Sequence, residues 1–238
     1  MVGTAQDITE RRQVDDLRDS ILSAVSHELR TPLTSIIGFA VTLKDKGDTV
    51  AETTRKEMID HLVRQANKLD HLLSDLLDLD RLRRGFVRPT FRPTDIGRLV
   101  AQVASGHVSD THEIDVRVIS ALAEVDAPKV ERIVDNLLAN AVRHTPPGTG
   151  VSIRVETGEG GVLIAVDDSG PGVAQEYREQ IFEIFNRGGG GDDRVAGTGI
   201  GLSLVAQFTA LHGGRAWVEP SPSGGASFRV FLPEQRPS

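Results

Sequence analysis

Cysteine is absent from the 238 residues, so neither a disulfide framework nor a thiolate metal site is available, as fits a reducing cytoplasm. The seven histidines, at 27, 61, 71, 107, 112, 144 and 212, include no HxxxH pair, and a helical zinc site is not expected. Positive charge is not in excess either. With 27 Lys and Arg against 34 Asp and Glu the net charge is −7, and no dense basic patch stands out, which argues against nucleic acid as the main ligand. No apolar run approaches the ~20 residues needed to span a bilayer. The best short one, Val162-Leu163-Ile164-Ala165-Val166, reads as a strand, and nothing looks like a signal peptide. This segment is expected to be cytoplasmic and to make no membrane contact.

A hydrophobic content of 39% supports ordinary globular cores, and 238 residues suit one large or two modest domains. Apolar residues recur at helical spacing from Val14 to about Leu43 (Val14, Leu17, Ile21, Val25, Leu33, Ile36, Ile37, Ala40, Leu43), and Lys46-Gly47-Asp48 ends that helix. A second helix begins near Thr53 and carries a 3-4 repeat at Ile59, Leu62, Ala66, Leu69, Leu73 and Leu76. Two helices cannot bury both seams alone, so pairing with a second copy as a four-helix bundle is expected. After Arg83-Arg84-Gly85 the pattern changes. Helices are read near Asp95–Ser105, Pro128–His144, Gln175–Ile184 and Gly201–Leu211, with strands near Ile114–Ile119, Val151–Glu156, Val162–Asp167, Arg215–Val218 and Ser227–Leu232. Several strands follow one another with no helix between them. The fold class is therefore α+β, a sandwich with helices on one face of the sheet. The division expected is a linker over 1–12, a helical hairpin over 13–84, a linker over 85–88 and a second domain over 89–238.

His27 lies in Ser26-His27-Glu28-Leu29-Arg30-Thr31-Pro32-Leu33. Histidine is largely neutral, hence nucleophilic, at cytoplasmic pH, and here it adjoins a carboxylate inside a long helix, the arrangement of a phosphoryl acceptor. Pro32 has no N–H for the Glu28 carbonyl, so a bend beside His27 is expected. This stretch resembles the H-box of the sensor histidine kinases of two-component signalling systems. The resemblance implies a dimerisation and phosphotransfer hairpin followed by an ATP-binding domain of the GHKL (Bergerat) type. Asp7-Ile8-Thr9-Glu10-Arg11-Arg12 likewise looks like the exit of a PAS sensor domain, which would place a sensor, or a membrane anchor, upstream.

Four segments carry the nucleotide part of the resemblance. In Asn136-Leu137-Leu138-Ala139-Asn140-Ala141-Val142-Arg143-His144-Thr145, residues Asn136, Asn140 and Arg143 fall on one helical face. This is similar to the N-box, which implies that Asn140 ligates Mg²⁺ through its amide oxygen and that Arg143 counters phosphate charge. Asp168-Ser169-Gly170-Pro171-Gly172 resembles the DxGxG segment, with Asp168 accepting from the adenine amino group and Gly170 and Gly172 letting the backbone approach the ring. Gly197-Thr198-Gly199-Ile200-Gly201-Leu202 runs into a helix and would set backbone N–H groups against phosphates. Its Gly197-x-Gly199-x-Gly201 spacing does not match a dinucleotide loop. Ile181-Phe182-Glu183-Ile184-Phe185-Asn186-Arg187 resembles the F-box, implying that Arg187 faces the γ-phosphate. The stretch Gly188 to Arg194 between the last two reads as an ATP lid.

GHKL folds also serve DNA gyrase and mismatch-repair ATPases, so the fold alone does not name the reaction. In those hydrolases a glutamate stands four residues before the metal-binding Asn and activates water. Here that position is Asn136, and an amide is no general base. The expected function is an ATP-dependent, homodimeric protein-histidine kinase. By family resemblance Glu28 orients His27 and takes its proton, and the phosphoryl group passes to an aspartate in a response regulator receiver domain. The HExxT pattern adds Thr31 as a residue for phosphatase activity toward that regulator. A degenerate kinase acting as a dimeric scaffold and a motion-coupled GHKL ATPase are the alternatives.

Overall fold

A computed structural model describes residues 3–47, 49–107, 112–158, 160–184 and 199–235, with side chains from residue 25 onward. The chain forms two compact units that divide between Leu77 and Asp78.

The first unit is built on two helices, α1 (Gly3–Lys46) and α2 (Glu52–Arg83), the last residues of α2 counting with the second unit. Helix α1 begins eleven residues before Val14 (Gly3 against Val14), taking in the stretch read as a linker. Its Ala, Gln, Glu and Arg residues favour helix without needing an apolar stripe. The helix continues through Pro32 and stops where three donors, Thr49 N–H, Thr49 Oγ1–H and Val50 N–H, converge on the Lys46 carbonyl. Helix α2 ends in a Schellman motif: Gly85, at φ 68°, donates to the Leu82 carbonyl and Phe86 to that of Arg81.

The 3-4 repeat read as one seam on α2 resolves into two stripes. Leu62, Leu69 and Leu76 are half-buried and Leu72 is buried, and His61 reaches α1, its ring 4.5 Å from that of Phe39 and its Nε2 3.1 Å from Ser35 Oγ. Ile59, Val63, Leu73 and Leu77 are 47–53% exposed, as are Leu33, Ile37 and Val41 on α1 at 46–54%. Those three recur every fourth residue, so they form one continuous apolar face.

The second unit contains β1 (Arg92–Asp95), α3 (Ile96–Gly106), β2 (Ile114–Val118), β3 (Leu122–Val125), α4 (Ala127–His144), β4 (Val151–Gly158), β5 (Gly161–Asp167), α5 (Gly201–Leu211), β6 (Arg215–Pro220) and β7 (Ala226–Pro233). A five-stranded sheet has the order β2-β4-β5-β7-β6, with β2 and β4 parallel and the other pairs antiparallel. The α+β expectation holds. One face of the sheet is apolar: Ile153, Val166, Phe228 and Val218 stand in register across four strands, all buried. Against this face pack the buried residues of α3, α4 and α5, among them Val100, Leu137 and Phe208. Full burial of each such side chain contributes about 1.5–3 kcal/mol, which fixes the helices on that side.

The other face pairs its charges row by row. Arg117, Arg154, Ala165, Arg229 and Trp217 are in register across the sheet, and Asp115, Asp167 and Glu219 neutralise the three arginines at 2.6, 2.9 and 2.9 Å.

Two corrections concern local structure. The helix expected over Gln175–Ile184 is instead two 3₁₀ turns, Gln175–Tyr177 and Gln180–Phe182. Only Ile181 of these turns is buried, so no apolar stripe rewards a longer helix. Strands β1 and β3, which pair with each other, were not expected. Each is four residues long and β1 contains a proline, too little to show a period of two.

Helix α4, which carries the N-box residues, is anchored at its start. The Asp126 side chain accepts from Lys129 N–H (3.4 Å) and Thr90 N–H (2.8 Å), and Asp126 N–H donates to Nε2 of the buried His212 (3.0 Å). The other ring nitrogen of His212 faces the Phe208 carbonyl at 2.7 Å and must therefore carry the proton. Burial holds His212 below the ordinary imidazole pKa, against the opposing pull of the Phe208 carbonyl and of Asp126. This neutral ring ties the end of α5 to the start of α4.

Candidate active site

On α1, His27 presents a side chain that is 75% exposed, while that of Glu28 is 9% exposed. Their closest atoms, His27 Nδ1 and Glu28 Oε1, are 3.9 Å apart, within ion-pair reach but beyond a hydrogen bond. Adjacent residues on a helix point about 100° apart, so a closer approach needs a rotamer change. Thr31, one turn on, donates through its hydroxyl to the His27 carbonyl at 3.3 Å. This back-bond leaves the lone pairs of Thr31 Oγ1 able to accept from water.

In the second unit, close backbone approaches assemble the other residues. Asn136, Asn140 and Arg143 lie along one face of the unbroken α4, the first two half-buried and Arg143 exposed. Asn136 is engaged in packing: its Nδ2 donates to the Arg132 carbonyl at 2.8 Å, and a Cβ on Gly201 would come within 2.5 Å of its Oδ1. Any larger residue at 201 would have to displace the Asn136 side chain where α5 begins beside α4, with Leu202 following in its first turn. At the far end of α4 a Cβ on Gly170 would meet the His144 carbonyl at 2.7 Å, which brings the loop after β5 onto the end of the N-box helix. Gly172 and Gly199 adopt φ of 73° and 64°, conformations that disfavour side chains. Desolvation, with the Arg143 charge adding to it, holds His144 below its ordinary pKa, and the Asp168 charge pulls the other way.

Asp168 is buried directly after β5. Its Oδ1 accepts from Gly170 N–H at 2.8 Å and from Ala226 N–H at 3.1 Å. Its own N–H donates to the Ala226 carbonyl at 2.9 Å, and its carbonyl accepts from Ser223 Oγ at 2.9 Å. The partners Ser223, in the turn between β6 and β7, and Ala226, the first residue of β7, were missed by sequence reasoning. A run of Pro, Ser and Gly there marks a turn, but nothing local connects it to a carboxylate some 58 residues away.

Arg187, Gly197 and Thr198 lie outside the described residues, as do Phe185, Asn186 and the Gly188–Arg194 lid. Among the described residues no group of three or more His, Asp or Glu is gathered as a metal cage. The amide oxygen of Asn140 is a neutral donor, a type that fits Mg²⁺ bound together with nucleotide phosphates and water rather than held by protein alone. No helix among the described residues is long and apolar enough to cross a membrane.

Comparison with known proteins agrees with this arrangement. Residues 17–85 match the family model of the His Kinase A (phospho-acceptor) domain, and residues 125–236 that of the histidine kinase-, DNA gyrase B-, and HSP90-like ATPase, an ATP-binding family. The chain is 34% identical to the sensor histidine kinase TmoS of Ectopseudomonas mendocina, over 98% of this chain and 25% of TmoS. It is 37% identical to the probable sensor histidine kinase TcrY of Mycobacterium tuberculosis, over 87% of this chain and 44% of TcrY. Thus the chain spans less than half the length of these curated relatives. Among solved structures, full-length ShkA in complex with AMPPNP superposes with a TM-score of 0.62 at 29% identity, covering 92% of this chain and 46% of ShkA. Acinetobacter baumannii AdeS, at 22% identity and a TM-score of 0.67 over 87% of this chain and 98% of AdeS, shares the fold. With a phospho-acceptor hairpin and an ATPase-type domain in succession on one chain, it belongs to the sensor histidine kinases of two-component signalling systems.

Proposed function

We propose that this chain autophosphorylates His27 from ATP and passes the phosphoryl group to an aspartate in the receiver domain of a response regulator. The observation that carries the reading is the exposure of His27, 75% of its side chain open to solvent beside a nearly buried carboxylate. A histidine kept for packing would be covered. Nε2 attacks the γ-phosphorus, the bond to the β–γ bridging oxygen breaks, and ADP departs with that oxygen. The Nδ1 proton goes to Glu28 once its carboxylate closes the present 3.9 Å gap. Asp168 binds the adenine amino group, and Gly170 and Gly172 let the backbone approach the ring. Gly197, Thr198, Gly199, Gly201 and Leu202 offer N–H groups to the phosphates. Arg143 and Arg187 oppose phosphate charge. Asn140 holds Mg²⁺, which when bound supplies charge neutralisation for the loose transition state of phosphoryl transfer.

Asn136 favours transfer over hydrolysis. Its Nδ2 is committed to Arg132 and its oxygen to the space over Gly201, so nothing at that position can deprotonate water. The AMPPNP bound to ShkA supports a nucleotide in this unit. The exposed stripes of α1 and α2 support a homodimer, since a lone hairpin leaves both uncovered. Thr31, holding water at a docked regulator aspartate, serves as a phosphatase residue. A sensor domain upstream, PAS-like by its exit sequence, would set the balance of these activities. Incubation with γ-labelled ATP and Mg²⁺ tests the reading: the product should be acid-labile and base-stable, as a phosphoramidate is, whereas an acid-stable label, or release of phosphate alone, speaks for another reaction.

A further inference from the structure

Asp168 is held by Gly170 of its own loop, by Ala226 at the start of β7, and by the turn just before that strand. The turn joins β6 to β7 and lies outside the four nucleotide motifs. Within it Ser223 Oγ donates to the Asp168 carbonyl at 2.9 Å and stands 2.6 Å from Ser221 Oγ. A carbonyl only accepts, so the Ser223 proton points to Asp168, and the buried Ser221 must donate to Ser223. Ser221 Oγ in turn accepts from Ser223 N–H at 3.2 Å, and Ser221 N–H donates to the Gly225 carbonyl at 2.9 Å, which closes the turn on itself. Gly225 lies against the same group: a Cβ there would stand 2.3 Å from the Asp168 carbonyl oxygen and 2.4 Å from Oδ1. Oδ1 already has two backbone N–H partners, whereas among the described residues no hydrogen bond is made to Oδ2.

We propose that the β6–β7 turn is the specificity-determining element for the nucleotide base, with Ser221 and Ser223 as positioning residues that fix Asp168 so that Oδ2 alone is presented to a purine 6-amino group. The proposal rests on the reading of Asp168 as the adenine acceptor. The directed chain from Ser221 through Ser223 to the Asp168 carbonyl restrains the backbone from which that carboxylate projects. A preset acceptor adds affinity only for a ligand that has the matching donor. The serines themselves do not touch the base.

Titration calorimetry on the full chain, with ATP and with purine riboside 5′-triphosphate, which carries hydrogen in place of the amino group, reads this directly. Ser223→Ala and Ser221→Ala are expected to weaken ATP about three- to tenfold, the scale of one neutral hydrogen bond. The purine riboside triphosphate should stay within twofold, so the ratio between the two ligands narrows. Ser223→Thr keeps the hydroxyl and should restore the ratio. If the turn merely supports folding, both ligands weaken together, and the proposal is overturned. Asp168→Asn separates the proposal from its foundation. A ratio that narrows in Asp168→Asn but not in either serine variant removes the role of the turn. A ratio that Asp168→Asn leaves untouched removes the adenine reading, and the proposal with it.

Discussion

At the scale of single residues, Asp168 and Asn140 differ in what surrounds them, and their substitutions should fail differently. Asp168 is buried and uses one carboxylate oxygen to accept from two backbone N–H groups. Asp168→Asn puts an amide where those donors point and is expected to weaken ATP and ADP alike, by about tenfold or more, since hydrogen bonds to a charged group are the stronger kind. Asn140 is half-buried on α4, and Asn140→Ala should act through the metal-bound phosphates. Calorimetry with and without Mg²⁺ distinguishes them: the Asn140→Ala deficit should shrink when Mg²⁺ is withheld and the Asp168→Asn deficit should persist. Equal, metal-independent losses would point to unfolding. Thr31 offers a second separation, because neither ATP binding nor imidazole attack uses its hydroxyl. Thr31→Ala is expected to keep autophosphorylation within a few-fold while slowing dephosphorylation of the regulator. If the 3.3 Å back-bond to the His27 carbonyl is its whole role, both rates stay near wild type.

At the scale of elements, the neutral ring of His212 links α5 to α4 and gives stability a pH dependence. Its folded-state pKa lies below the ordinary value, so the unfolded chain binds the proton more readily. The stabilisation is therefore complete above about pH 6.5 and is lost as pH falls below it. Melting curves should show Tm falling between pH 7.5 and pH 5.5, and His212→Gln should lower Tm at pH 7.5 while flattening that slope. A slope unchanged in the variant would assign the acid sensitivity elsewhere, with His144, whose pKa is lowered too, the first place to look.

Legibility in the sequence also varied by element. Helices α4 and α5 were readable because each carries a long apolar stripe, and α4 adds a capping Asp126 and a proline in its first turn. The His27 motif was readable because its residues are contiguous and their chemistry is local. Strands β1 and β3 were not, being four residues long. Nor was the 3₁₀ character of 175–182, since residue types that favour helix do not reveal that almost none of them will be buried. The role of Ser221 to Ala226 was out of reach, because contact with Asp168 arises only when β7 pairs with β5 and sets Ser227 opposite Asp167.

At the scale of the whole molecule, the hairpin exposes Leu33, Ile37 and Val41 on α1 and Ile59, Val63, Leu73 and Leu77 on α2, each about half open. Burying them against a second copy gains on the order of 1 kcal/mol per residue, given about 1.5–3 kcal/mol for complete burial. Sedimentation should accordingly show a dimer at micromolar concentration. Ile37→Asp, placed twice in each dimer, should raise the dissociation constant by at least about tenfold. A wild type that sediments as a monomer would mean that these stripes are covered by something other than a second copy.

The most direct test of function follows the phosphoryl group itself. Wild type and His27→Gln, each shown by calorimetry to bind ATP with Mg²⁺ equally, are incubated with γ-labelled ATP, and the label is located by peptide mapping. The expected result is label on His27 in the wild type and none in the variant. Persisting label in His27→Gln, or label that maps to His61 or His71 on the second helix, would contradict it.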